Sequence, residues 1–556
     1  MPPQLGISVI TRVFILSVSA LLMTSFAYAQ DEHSHASPDA SARLGNVVFR
    51  NSGSEAAQAD FLRGVALLHS FEYYDAAKAF RAAQKADKSF ALAYWMDALT
   101  YRHPLWGQED LDAARDALKS LGPNTEARLS VAKTQRERAY GEAVEALFAE
   151  GTELDRARAF AEGMRRVANA YPSDLEASAF AALASLGLWA QLPRAEAAPQ
   201  IEDAIRYAQR VFASNPRHPG AAHYLIHAYD DPSRAERGLP FAREYAEIAP
   251  DAEHAIHMPS HIFLQVGLWN DVVASNERAW AASRAWVARN QMPVTHSDFH
   301  SLTWLEYGYL EQGRYRAARG LIDTVRVLFG GAEFGNQFTD ASIVGSDLTF
   351  RYHVASGDWS DIQLPGPGRQ DDRYSPRAIG FTTIMILQHA IAAAMRGDAG
   401  AARALVARAQ SRADSTLPGD AAPSYNTALK VATAFIAKNS GDLTKAIDLL
   451  RTAGDLEAKT YPAGPTYLPP ALEVLGTTLL EAGKPQEAIA AFTKELELRH
   501  NRSESLLGLA RARLASGDSK GAVEAYSKLL VNWKNADPDI PALAEAKGVV
   551  RGSPAR

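Results

Sequence analysis

"LLEAGKPQEAIAAFTKEL" (Leu479–Leu496) returns 34 residues later as "RLASGDSKGAVEAYSKLL" (Arg513–Leu530). Gly483 maps onto Gly517, Ala488 onto Ala522 and Phe492 onto Tyr526. In each copy a glycine closes one helix, an alanine lets the next helix pack close, and an aromatic ring fills the gap. The same grammar appears near the N-terminus at Gly64, Ala76, Phe80 and Ala83. It recurs more weakly at Tyr309, Gly313, Tyr315 and Ala318, at Gly397 and Ala402, and at Gly441 and Ala446. A unit of this size cannot bury its apolar face alone, so stacked units must share one continuous core. The aromatics at repeat spacing, Trp269, Tyr315, Phe492 and Tyr526, are therefore expected in that core.

These units resemble the tetratricopeptide repeat (TPR), and the expected fold class is all-α, a TPR-type α-solenoid of antiparallel helix pairs in two lobes. The expected division is a signal peptide at 1–29, a flexible leader at 30–52, an N-terminal lobe with a histidine-lined groove at 53–328, an irregular helical or loop connection at 329–376, a C-terminal lobe at 377–540 and a tail at 541–556. Phe329–Ser346 and Leu364–Pro376 are rich in Gly and Pro and lack a helical period, so they read as loops between the lobes.

The signal peptide is read from Arg12, the apolar run Val13–Phe26 and the small residues of Ala27–Ala29 before Gln30. It places the mature chain in the periplasm or outside the cell. The 556 residues contain no cysteine, which excludes disulfides, thiolate metal sites and cysteine nucleophiles. With 47% hydrophobic residues the chain can bury a core, and a net charge of -6 gives no footprint for nucleic acid. No other segment has the length and apolarity of a transmembrane span. GxSxG, Walker, GxGxxG and HExxH motifs are absent.

The histidines are unevenly placed. Of 15 in the chain, eight lie between His218 and His300. His223 and His227 recur one repeat later as His257 and His261. With Gly267 and Gly313 closing their helices, these four fall at repeat positions 5 and 9, and His254 and His300 at position 2, all expected to face the groove. Residues four apart share a helix face, and packed helices lie roughly 8–10 Å apart, so two HxxxH pairs can converge on one ion. Asp298, Asp230 and Asp231 supply nearby carboxylates, although "YDDPS" also reads as a turn. Imidazole with carboxylate suits a divalent transition metal such as Zn, Cu, Ni or Fe. Trp95, Arg102 and His103 fall at groove-side positions and are expected to extend a ligand-binding surface, with core packing as the alternative. His218, just before Pro219, is expected in a capping role, while His69, His103, His353, His389 and His500 read as packed polar residues. His33 and His35 belong to the leader.

Taken with "LLHSFEYYDAAKAFRAA", "HPGAAHYLIHAYDDP", "YAEIAPDAEHAIHMPSHIFLQVGLW", "DFHSLTWLEYGYLEQGR" and "NRSESLLGLARA", the chain resembles a bacterial family of secreted TPR proteins. That resemblance implies the fold and the compartment and assigns no reaction. Three functions stay open: a binding scaffold whose metal-bearing groove takes a peptide, a protein partner or a small ligand; a metal-dependent hydrolase or oxidoreductase in the same groove; and an assembly scaffold without metal.

Overall fold

A computed structural model describes residues 43–192, 194–329, 340–360, 362, 376–416, 422–460 and 464–552. The signal peptide, His33 and His35 lie outside the described residues. The chain is an all-α solenoid of antiparallel helix pairs, with helices following one another from Glu55–His69 to Pro541–Gly552. The one strand pair among the described residues is a short hairpin, Arg102–His103 against Gln108–Glu109. No helix among them is long and apolar enough to cross a membrane.

The repeat that opened the argument shows how sequence sets the geometry. Helix Ala471–Glu481 ends at Gly483 and helix Ser503–Ala515 at Gly517, with φ of +71° and +84°. That left-handed conformation turns the chain so that Lys484 N–H reaches Leu479 O at 2.9 Å and Asp518 N–H reaches Arg513 O at 2.8 Å. Phe492 then enters between two helices. A Cβ on Gly476 would lie 2.6 Å from its ring and one on Gly508 2.2 Å, so both positions must stay bare. Burial of a phenylalanine like this contributes about 1.5–3 kcal/mol. Trp269, Phe492 and Tyr526 are buried as expected, and Tyr315 is half-buried.

Two large apolar cores form, one running from Leu44 to Tyr307 and another from Phe350 to Ala546. Between them the chain doubles back, and the turn before helix Ser503–Ala515 docks on the turn after helix Pro259–Gln265. Trp269 Nε1 donates to Asn501 O at 2.8 Å, Asn501 Nδ2 to Gly267 O at 2.9 Å, and His500 Nδ1 to Gln265 O at 2.8 Å. Behind the turn, Arg502 is buried and spends every guanidinium nitrogen on Glu473, Glu311 and Tyr307.

Two expectations are corrected. Residues 43–52, read as flexible leader, pack on the helices: Phe49 is buried against Phe61, Tyr140 and Phe180, and Asn46 N–H bonds Arg217 O. The loop expected through Ser346 gives way to helix Asp340–Ser356. Its apolar residues Leu348 and Phe350 are buried among neighbouring helices, a tertiary gain that outweighs weak local periodicity.

Candidate metal centre

Helix Pro219–Tyr229 begins where Pro219 fixes φ and His218 caps the first turn, its Nδ1 accepting from Ala221 N–H at 3.2 Å. One face of that helix carries His223 and His227. The next repeat supplies His254 and His257 from helix Glu253–His257 and His261 from helix Pro259–Gln265. Pro259 has no N–H and interrupts the helix, yet His257 and His261 still share a face. His300 comes from the first turn of helix Phe299–Glu311.

The six imidazoles do not meet at one point. They divide into two triads: His223, His227 and His254, and His257, His261 and His300, each with its ligand nitrogens within 4.8 Å of one another. Each triad takes the two histidines of one HxxxH pair and the position-2 histidine of the following unit. The expectation of a single four-histidine centre is thereby corrected, because position 2 reaches back across the helix interface and completes the preceding pair. The triads adjoin, with the His227 and His261 rings 5.8 Å apart.

The hydrogen bonds fix which nitrogens remain available. His257 Nδ1 donates to Asn276 Oδ1 at 2.6 Å, and Asn276 Nδ2 is engaged with Val272 O at 2.8 Å, so the amide oxygen faces the ring. His261 Nδ1 donates to Asp230 Oδ2 at 2.7 Å. In the neutral rings each proton is then held on Nδ1, and the two Nε2 lone pairs face each other at 3.1 Å. Two nitrogens bound about 2.0–2.1 Å from one tetrahedral zinc ion lie roughly 3.3 Å apart, within a few tenths of an ångström of this separation. His223 Nδ1 donates to His69 O at 2.7 Å, leaving its Nε2 3.1 Å from His227 Nε2. His254 is only 8% exposed and its Nε2 makes no hydrogen bond.

Burial pushes His223 and His257 down to about 3, and His227 and His254 well below the ordinary histidine value. All four are neutral at physiological pH, the form that binds metal. Phe71 packs 4.3 Å from His223 and Trp304 4.3 Å from His261, closing the floor of each triad. Phe71 holds φ at +58°, a costly conformation for a residue with a Cβ, and so brings its ring onto His223. Beside His254 sit Glu72 and Glu253. Glu72 accepts from His254 N–H at 3.1 Å, and burial with neighbouring carboxylates raises the two acids to about 8 and about 10.

Several expected site residues stand elsewhere. Asp298 caps helix Phe299–Glu311 through Ser301 N–H and joins neither triad. Trp95 is wholly buried, its Nε1 on Glu145, and helix Gln135–Leu147 covers it. Arg102 is buried in ion pairs with Glu153 and Glu109. Trp95 is therefore core, whereas Arg102 lines a pocket with Tyr73, Leu99, Phe160 and Leu183. His103 stacks on Tyr73 at 3.8 Å. Asp231 closes a turn onto Ser233, whereas Asp230 orients His261. Asn276, Phe71 and Trp304 were not singled out in the sequence; the one local signal was the Asp-Asp-Pro that marks Asp230.

No protein-family model matches the chain, and no curated protein matches it. Among solved structures it is similar to the APC/C hetero-tetramer Cut9–Hcn1, at 13% identity and a TM-score of 0.35 over 89% of this chain and 76% of that one. It is also similar to yeast Tom70, at 12% identity and a TM-score of 0.34 over 89% and 95%. A monomeric IFIT1 mutant with Gppp-AAAA gives 13% and 0.34 over 85% and 90%. Likeness of this strength leaves the fold resting on the helices described above.

Proposed function

We propose that this protein is an exported metal-binding repeat protein whose groove holds a divalent transition-metal ion on each histidine triad. The observation that carries the reading is the pair of bare Nε2 atoms of His257 and His261, 3.1 Å apart with both Nδ1 protons committed. A cation between them turns a repulsion into two bonds. Three imidazoles leave a coordination position open, and there a donor from a peptide, a protein partner or a small ligand would attach. A resident ion would supply Lewis acidity at that position; the chain's own residues orient the imidazoles, keep them neutral and exclude water with Phe71 and Trp304.

The test is metal content by mass spectrometry on the mature chain, purified without a histidine tag, beside His257→Ala/His261→Ala. One to two equivalents in the native chain, with at least one lost in the variant, is the expected result. No metal in either after Zn, Cu and Fe are added back rejects the reading and leaves a metal-free scaffold. A second reading, a metal-dependent enzyme, is favoured by the protonated carboxyls of Glu72 and Glu253 beside His254, which are available as proton donors near neutral pH. It requires turnover that disappears on chelation and returns with the ion.

A further inference from the structure

Away from the histidines, a pocket lies where the doubled-back C-terminal segment meets helices Phe299–Glu311 and Asp340–Ser356. Two arginines line it, and they differ. Arg502 has no nitrogen to spare. Arg351 is 6% exposed and gives only Nε, to Glu306 Oε2 at 2.9 Å; its Nη1 and Nη2 are buried without a hydrogen-bond partner. A buried guanidinium edge with two unused N–H groups is costly, and a carboxylate is the group whose two oxygens match that fork. The rest of the wall is largely apolar, with Leu310, Phe350, Val354, Leu468 and Pro469. Four acids stand nearby: burial lifts Glu306 to about 7, Glu504 to about 8 and Asp347 to about 6 and raises Glu311, which is already paired with Arg502.

We propose that this cavity binds a small carboxylate with an apolar body, its carboxylate on the free edge of Arg351 and its chain against Phe350 and Val354. The site is independent of the histidine triads.

The test is isothermal titration calorimetry on the full mature chain, stripped of metal so that carboxylate on the histidines is not counted. The probes are octanoate, its neutral isostere octanamide, and inorganic phosphate and sulfate. We expect one saturable octanoate site, binding at least tenfold weaker for octanamide, and no comparable site for phosphate or sulfate. Arg351→Met should lose octanoate at least tenfold. Val354→Trp, which fills the cavity and leaves the charges alone, should lose it as well. Octanoate that fails to bind the native chain, octanamide that binds as tightly, a preference for phosphate or sulfate, or binding unchanged in a folded variant each overturns the proposal. The native-chain comparison decides the matter even if a variant fails to fold.

Discussion

Two histidine networks lie side by side, and only one is complete. His69 and His218 are fully buried, and both place Nε2 on the two oxygens of Glu176, at 2.8 and 3.0 Å. The remaining nitrogens are also used: His69 Nδ1 accepts from the Tyr224 hydroxyl at 2.7 Å, and His218 Nδ1 caps a helix. Every donor there has an acceptor, so although His69, Glu176 and His218 have metal-ligand geometry, they ask for no ion. One repeat along, the neutral rings of His257 and His261 commit their Nδ1 protons to Asn276 and Asp230 and turn their Nε2 lone pairs toward each other. Proximity of histidines therefore does not identify a metal site; the direction of the protons does. The two networks are also joined, because the His69 carbonyl holds His223 in place.

The comparison can be broken at several points. The largest effect should come from Glu176→Gln, which removes the buried charge and leaves one acceptor oxygen for two buried imidazole N–H groups. We expect a loss of about 3–5 kcal/mol in urea unfolding with metal content retained in the folded fraction. Chelation should come next. An ion present about 100-fold above its Kd stabilises by about 2.7 kcal/mol, so chelated native protein should lose that amount for each occupied triad, and His257→Ala/His261→Ala, which keeps only the His223–His227–His254 triad, should lose correspondingly less on chelation. Asp230→Asn should weaken metal binding about 10–100-fold in competition titrations and leave the unfolding of the stripped protein nearly unchanged. The smallest effect near neutrality is acid dependence. Burial works against the Glu176 carboxylate, but His218 and His69 outweigh it and hold the group at about 2. The unfolded chain therefore takes up that proton first, so stability is level above about pH 5.5 and falls from about 4.5 toward 2. Glu176→Gln should lack that slope in a pH series of unfolding midpoints.

Much of this was legible in the sequence because helix geometry repeats. Gly483, Gly517, Phe492 and Tyr526 announce their positions through a fixed offset, and the same offset relates His223 to His257 and His227 to His261. What a repeat register does not encode is reach across an interface. His254 and His300 complete pairs belonging to the preceding unit, and only packed helices show it. Trp95 illustrates the opposite failure: it occupies a position that usually faces a groove, but helix Gln135–Leu147 covers it. Asn276 and Trp304 sit in ordinary helical sequence and acquire their roles from neighbours in space. The contacts of Asn501 with Gly267 and Trp269 span more than 230 residues, beyond any local signal.

Those last contacts act as a clasp. An open repeat array is a spring: its end units fray first, and its curvature follows whatever it holds. Here the fastening at Gly267 and Asn501 ties a late unit to a middle one, so the intervening coil cannot stretch without breaking buried hydrogen bonds. Gln265 belongs to the same fastening, and its side chain donates to Asp230 Oδ1 at 2.9 Å, the carboxylate that steadies His261. Tension on the far end of the chain would thus be carried through Gln265 and Asp230 to the His261 ring.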